Sequence, residues 1–305
     1  MRLPKLKSLS LYIDQFNTHL DEDFDLPYHR IINDLYFVSL QNILIDCGNL
    51  DSHAKFVAFL LTRSPLLKEF SLSAVADNLP FYRILFDKFP LYDRIEIFTI
   101  PYELTYEVQS FIYNELSKMM NLKYFCLNSR FFRFEDVQKV SELRKLKFLH
   151  WSARNAAALK IIRSSCLFNG IYLYDIQKGS PASIELILHQ CPNLRYFSVD
   201  VLNGEQMRKL PLKAPNLQYL QLRNNIVGNS STDIVSIIAY LVENLPNLRQ
   251  LSVHHKLYNL LLQHKPMKRL CRRKRLSVIT DRFWRSQDDL IIEWIHRSCQ
   301  EDPPT

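Results

Sequence analysis

The side chains of this 305-residue chain that are best placed to do chemistry are suited to contact rather than to bond breaking. Tyr124, Phe148, Tyr196 and Tyr219 stand at one position of a phrase that recurs along the chain, and His150, Tyr172, Tyr174 and Arg223 stand in the columns beside it. Tyrosine and arginine combine a large contact area with a directed polar group, which makes them frequent anchors of protein interfaces. Lys123, Lys147, Arg195 and Arg249 precede the same position and add positive charge. Together they suggest a strip that holds an acidic or phosphorylated segment of a partner. The same aromatic position also suits a simpler role, in which rings stack on their neighbours and shield the strand edges.

A second concentration of charge lies near the end. Lys265, Lys268, Arg269, Arg272, Arg273, Lys274 and Arg275 bring seven positive charges with no acid among them, out of a formal net charge of +8. Without them the chain holds 32 basic and 31 acidic residues, so the excess charge is local. Lys268, Arg269, Arg272, Arg273, Lys274 and Arg275 are candidates for reading by import machinery, or form a solvated face beside a degraded last repeat around Met267 and Leu270. Nucleic acid is disfavoured as a partner, because no stacking aromatics are interleaved with these cations.

Signals for catalysis are poor. Five glycines in the whole chain leave no phosphate-cradling loop. His254-His255 lacks a metal-ligand frame, and His150 reads as a contact residue rather than a general base. Asp21, Glu22, Asp23 and Asp25 sit near Pro27 in what reads as a solvent loop. No catalytic residue, metal or cofactor is expected.

The elements that must position the strip come from the phrase itself: an apolar residue, two variable ones, an apolar residue, one variable, and a last apolar residue. Clear copies are Leu122 to Leu127, Leu194 to Val199, Leu217 to Leu222 and Leu248 to Val253. Copies begin at Leu6, Leu40, Leu67, Tyr92, Leu122, Leu146, Phe168, Leu194, Leu217 and Leu248, at intervals of 22 to 34 residues, a solenoid period. Residues two apart in a strand share a side, so the fourth and sixth positions point to a core and the third and fifth away from it. The third position reads Ser8, Asn42, Glu69, Arg94, Tyr124, Phe148, Gly170, Tyr196, Tyr219 and Gln250. Its aromatic members gather in the second half, whereas the first half mixes both signs of charge.

Helical patterns lie between the copies. Ser180-Pro181 reads as a cap with proline at the first helical position, followed by Ile184, Ile187 and Leu188 on one face. Thr105 precedes Val108, Phe111, Ile112, Leu116 and Met119 at helical spacing. Asp51 opens a segment through Val57, Leu60 and Leu61, and Ser231 or Thr232 opens one through Ile237, Ile238 and Leu241. Ser64-Pro65, Phe89-Pro90, Cys191-Pro192, Ala214-Pro215 and Leu245-Pro246 end the helices, since proline cannot continue their interiors.

These units resemble leucine-rich repeats of the ribonuclease-inhibitor-like type, and Leu188-His189-Gln190-Cys191-Pro192-Asn193-Leu194-Arg195-Tyr196-Phe197 resembles those of F-box/leucine-rich-repeat proteins. The likeness covers roughly Leu3 to Val253. It implies an α/β leucine-rich repeat solenoid of about 10 to 11 irregular repeats, a horseshoe with a parallel concave sheet and helices on the convex side. The asparagine that usually follows the strand is matched at Asn225 and few other places. An F-box normally precedes such repeats, yet the first copy starts at Leu6, which leaves no room for one. The resemblance implies a substrate receptor of an SCF-type ubiquitin ligase. Its target would sit on the concave face, and the Skp adaptor and cullin-RING ligase would be reached through a segment absent here. A scaffold without a ubiquitin link, a nuclear regulator or an enzyme inhibitor, stays open as the alternative.

The expected organisation is a solenoid over 1–280, a capping helix over 281–299 built on Leu290, Ile291, Trp294 and Ile295, and a disordered tail over 300–305. No apolar run is long enough to span a membrane and Lys5 and Lys7 interrupt a secretion signal. Six cysteines without paired spacing suit free thiols in a reducing compartment, the cytoplasm or nucleus.

Overall fold

A computed structural model describes residues 5–13, 36–47, 54–74, 79–87, 92–100, 104–127, 139–140, 142–152, 170–174, 181–199, 202–222 and 231–280. The proposed capping helix and tail beyond 280, the acidic segment near Asp21, Asn225 and the cap residues Asp51 and Ser180 lie outside them. The chain forms two compact units, Met1–Leu146 and Lys147–Thr305.

The first unit holds five parallel strands in chain order, β1 (Ser8–Ile13), β2 (Asn42–Cys47), β3 (Glu69–Ala74), β4 (Ile97–Ile100) and β5 (Tyr124–Leu127). Helices α1 (Ala54–Thr62), α2 (Leu79–Asp87) and α3 (Tyr106–Leu116) connect β2 to β5, and α2 packs between the other two. Parallel neighbours need such crossovers. The fourth-position residues Phe70, Phe98 and Phe125 form a stacked ladder with centroids 5.9 and 6.2 Å apart. Phe86 of α2 and Tyr113 of α3 meet this ladder edge-on at 6.0 and 6.1 Å, so the helices cover this face. Edge-to-face contacts place the positive rim of one ring on the negative face of another.

The second unit repeats the plan with six parallel strands: β6 (Phe148–Ser152), β7 (Gly170–Tyr174), β8 (Tyr196–Val199), β9 (Tyr219–Leu222), β10 (Gln250–Val253) and β11 (Ser277–Thr280). Its helices are α4 (Pro181–Gln190), α5 (Gly204–Lys213), α6 (Ser231–Asn244), α7 (His255–Gln263) and α8 (Lys265–Lys274). Leu149, Phe197, Leu220 and Leu251 occupy the fourth position and are buried. Pro181 is the first residue of α4, the place expected for it. α5 opens with a reciprocal capping box: Asn203 Oδ1 accepts from Gln206 N at 2.8 Å, and Gln206 Oε1 accepts from Asn203 N at 3.0 Å. The fold of both units is α/β, with the strand and helix alternation of leucine-rich repeats.

One turn recurs between helix and strand. The amide of the phrase's first residue donates to the carbonyl three residues earlier in Leu67 to Ser64, Leu122 to Met119, Leu194 to Cys191, Leu217 to Ala214 and Leu248 to Leu245. Pro65, Pro192, Pro215 and Pro246 thus hold the second place of a β-turn, where their fixed φ is already correct. The prolines do more than stop the helix; they set the entry of each strand.

The fourth copy corrects the expected register. Tyr92 does not begin a phrase. It begins the turn, with Asp93 and Arg94 exposed after it, and the phrase is Ile95 to Ile100. Both readings offer apolar residues at the required spacing. Only the observed one places Phe98 between Phe70 and Phe125, while the Tyr92 ring stacks on Phe86 at 6.2 Å and its hydroxyl donates to Glu115 at 2.6 Å. Arg94 therefore leaves the third-position column, and Ile97 enters it, paired with Glu69 and Tyr124.

Candidate recognition site

The third-position residues of the second unit align across Phe148, Gly170, Tyr196, Tyr219, Gln250 and Ser277. Phe148 and Tyr196 meet across Gly170 at 5.2 Å between centroids, and Tyr196 meets Tyr219 at 6.3 Å. The aromatic column is real, but most of it is not a free surface. Phe148 is 1% exposed and Tyr196 8%, and in the first unit Tyr124 is 2% exposed. This corrects the expectation that Tyr124, Phe148 and Tyr196 stand open to a partner. Strands about 4.8 Å apart bring side chains of one column into contact along their length, so rings in a row cover one another. Tyr219 alone among these four is half-buried, with Gln250 beside it also half-buried. His150 pairs with Tyr172 in register and Ser152 with Tyr174, which fixes their backbone positions only. Arg223 lies outside the described residues.

The fifth position forms a buried polar row that the sequence did not announce. Gln221 Oε1 accepts from the Ser198 hydroxyl at 2.9 Å and from the Tyr196 hydroxyl at 3.1 Å. In the first unit the Thr99 hydroxyl donates to Ser71 at 2.6 Å. Short polar side chains in adjacent strands satisfy each other in this way, as cross-strand pairs do.

Charge is arranged differently in the two units. At the second position the first unit reads Lys7, Gln41, Lys68, Glu96 and Lys123, joined by backbone hydrogen bonds from one rung to the next. Glu96 is held by Lys123 at 2.9 Å and Lys68 at 3.3 Å. Burial would raise its pKa, but the hydrogen bond and charge of Lys123, aided by Lys68, outweigh this and hold the carboxyl below its ordinary range. Arg94, Lys145, Asp93 and Asn121 complete the walls of a groove of about 650 Å³ there. Arg94 donates to the Pro65 carbonyl and Lys145 to Asn121, so this groove largely satisfies itself. In the second unit Arg195, Gln218 and Arg249 occupy three consecutive rungs, linked through Gln218 N to Arg195 O at 2.7 Å and Arg249 N to Gln218 O at 2.8 Å. Arg195 and Gln218 are half-buried and Arg249 is exposed. Among the described residues no acid stands in these three rungs.

The basic run forms helix α8, with Met267 and Leu270 buried. The histidines nearby act as caps: His254 Nδ1 accepts from Lys256 N at 3.4 Å, and His264 Nδ1 from Met267 N at 3.3 Å. Histidine is an uncommon cap, and the sequence pattern gave no sign of it. Among the described residues no group of three or more His, Cys, Asp or Glu could hold a metal ion. No helix among them is long and apolar enough to cross a membrane.

No protein-family model matches the chain, and no curated protein matches it. Among solved structures, the chain is similar to the leucine-rich repeat-containing protein LegL7 from Legionella pneumophila, at 12% identity and a TM-score of 0.46, over 88% of this chain and 97% of that one. The yeast Rad7 and Elc1 complex is matched at 16% identity and 0.41, over 71% and 70%. A complex of TLR13 with ssRNA13 is matched at 12% and 0.42, over 83% and 36%. With TM-scores below 0.5, these likenesses carry nothing about what the chain binds. The repeat assignment rests on the strand ladders and turns described above.

Proposed function

We infer that the chain is a protein-recognition module whose second unit takes an extended acidic segment of a partner across Arg195 and Arg249, beside Tyr219. The three-rung run Arg195, Gln218, Arg249 carries this reading, because Arg249 is exposed, Arg195 is half-buried, and no acid shares those rungs among the described residues. Two rungs span about 10 Å, which is also the length of three residues of extended chain. Side chains alternate in an extended chain, so acids at an even spacing of two or four residues, about 7 or 13 Å, share a face and bracket this span, each carboxylate accepting the two-pronged hydrogen bond that guanidinium offers. Fluorescence anisotropy with extended peptides carrying acids at those spacings tests it. The double variant Arg195→Gln/Arg249→Gln should weaken binding more than about ten-fold with no change in fold; equal binding by both proteins would defeat the reading.

The finer reading is a substrate receptor of an SCF-type ubiquitin ligase. Its support is the resemblance of the stretch Leu188 to Phe197, which forms the end of α4, the proline turn and the start of β8. Six cysteines without paired spacing suit the reducing compartment in which such ligases work. Purification with a Skp-type adaptor and a cullin tests it: co-elution supports the receptor, and its absence leaves the scaffold, regulator or inhibitor without a ubiquitin link.

A further inference from the structure

The basic helix α8 is not engaged by the recognition surface just described. Lys265, Lys268, Arg269, Arg272 and Arg273 are all exposed. At 3.6 residues per turn they fall within an arc of about 140°, along about 12 Å of helix axis. Met267 and Leu270 lie on the other side, buried, where α8 packs on α6 and α7. Lys274 belongs to that inner side too, its ammonium donating to the Glu243 carbonyl at 3.4 Å. Among the described residues Glu243 is the only acid lining the groove of about 540 Å³ between α6 and α8, which Lys265, Arg269 and Arg273 also line.

We propose that this face of α8 docks on the phosphate backbone of a nucleic-acid duplex. Charge density selects the occupant. Five cations over about 12 Å stand on average about 3 Å apart along the axis. An extended acidic peptide offers at most one side chain per about 3.3 Å, and only alternate ones on one face. A duplex offers one phosphate charge per about 1.7 Å, so it can occupy every cation of the stripe at once. A bilayer holds an interfacial helix by its apolar face, and here that face is spent on α6 and α7. The stripe carries no aromatic ring on which unpaired bases could stack; that lack, which disfavours nucleic acid in the sequence, bears on single strands alone and leaves the backbone of paired strands, bound without sequence preference.

The test titrates the full chain against a mixed-sequence DNA duplex of about 20 base pairs over a salt series, beside vesicles one-third phosphatidylserine and a poly-glutamate peptide. The duplex should bind tightest, with log K falling against log salt at a slope of about −4.5 for five contacts. Arg269→Gln/Arg272→Gln/Arg273→Gln should weaken duplex binding more than about ten-fold and make the slope shallower by about 2.7. The matching triple lysine variant should keep the slope, which separates lost charge from lost fold. Unchanged affinity in the glutamine variant, or vesicles or poly-glutamate bound at least as tightly as the duplex, overturns the proposal.

Discussion

The ring of Phe148 lies where a side chain on Gly170 would stand: a Cβ on Gly170 would collide with Cδ2 and Cε2 of Phe148. The two residues are register partners on β6 and β7. Phe148 is buried, so its ring has little room to retreat. Gly170→Ala should therefore destabilise the protein by about 1 to 3 kcal/mol, as overpacking of a filled core does. Phe148→Leu in the same chain should recover part of that loss. A denaturation cycle over the two single variants and the double one checks it; strictly additive losses would mean that the ring does not fill the place of the missing Cβ.

The same column sets different costs for its two tyrosines. Tyr196 is buried between neighbours and its hydroxyl donates to Gln221, whereas Tyr219 is half-buried. Tyr196→Ala should cost about 3 to 5 kcal/mol, comparable to Leu220→Ala at about 2 to 5. Tyr196→Phe should cost about 1, the net worth of its hydrogen bond. Tyr219→Ala should cost clearly less than Tyr196→Ala. Denaturant midpoints check the order, and a larger loss at Tyr219 would reverse the burial described here.

Much of this plan was legible in the residues because a repeat states its rule many times. The fourth and sixth positions were assigned to the core, and Phe70, Phe125, Phe197, Leu220 and Leu251 are there. Proline and its apolar follower marked the strand entries. The rule misled where a single copy departed from it: Tyr92 follows Pro90 at the usual distance, yet it opens a turn without proline. β11 escaped notice for a related reason. Gln250 pairs with Ser277, which puts Arg275 and Thr280 at the first and sixth positions, so only Val278 fits the phrase. Exposure along the aromatic column was not legible, because alternation tells which side of a sheet a residue takes, not whether its neighbours cover it. Tyr124 and Tyr196 take the expected side and are still buried.

Acid should weaken the first unit through Glu96. Its carboxyl pKa is lowered in the folded chain by Lys123 and Lys68 against the opposing effect of burial. A carboxylate of this kind contributes stability above its unfolded pKa, and the contribution fades as pH falls through the lower folded value. Water reaches the pair, so the amount is at most about 1 kcal/mol. In Lys123→Met the Glu96 carboxyl should titrate at higher pH, and stability should depend less on pH across the acidic range. Side-chain carboxyl resonances followed by NMR check this; an unmoved titration would remove Lys123 as the cause.

Helix α8 ends on a residue that strains the backbone. Arg275 has φ 53° and ψ 35°, the left-handed region, the one positive φ at a non-glycine residue among those described. Its amide donates to Arg272 O at 3.1 Å and that of Leu276 to Cys271 O at 2.9 Å, the paired bonds of a Schellman motif. Glycine is favoured there because it has no Cβ to collide with the carbonyl. Arg275→Gly and Arg275→Ala remove the same charge, so their difference isolates the backbone. Glycine should be more stable than alanine by about 1 kcal/mol, read from the denaturant midpoint at unchanged slope. Equal stability of the two would show that this turn relaxes out of the left-handed conformation in solution, and with it the bond from Leu276 that leads the chain into β11.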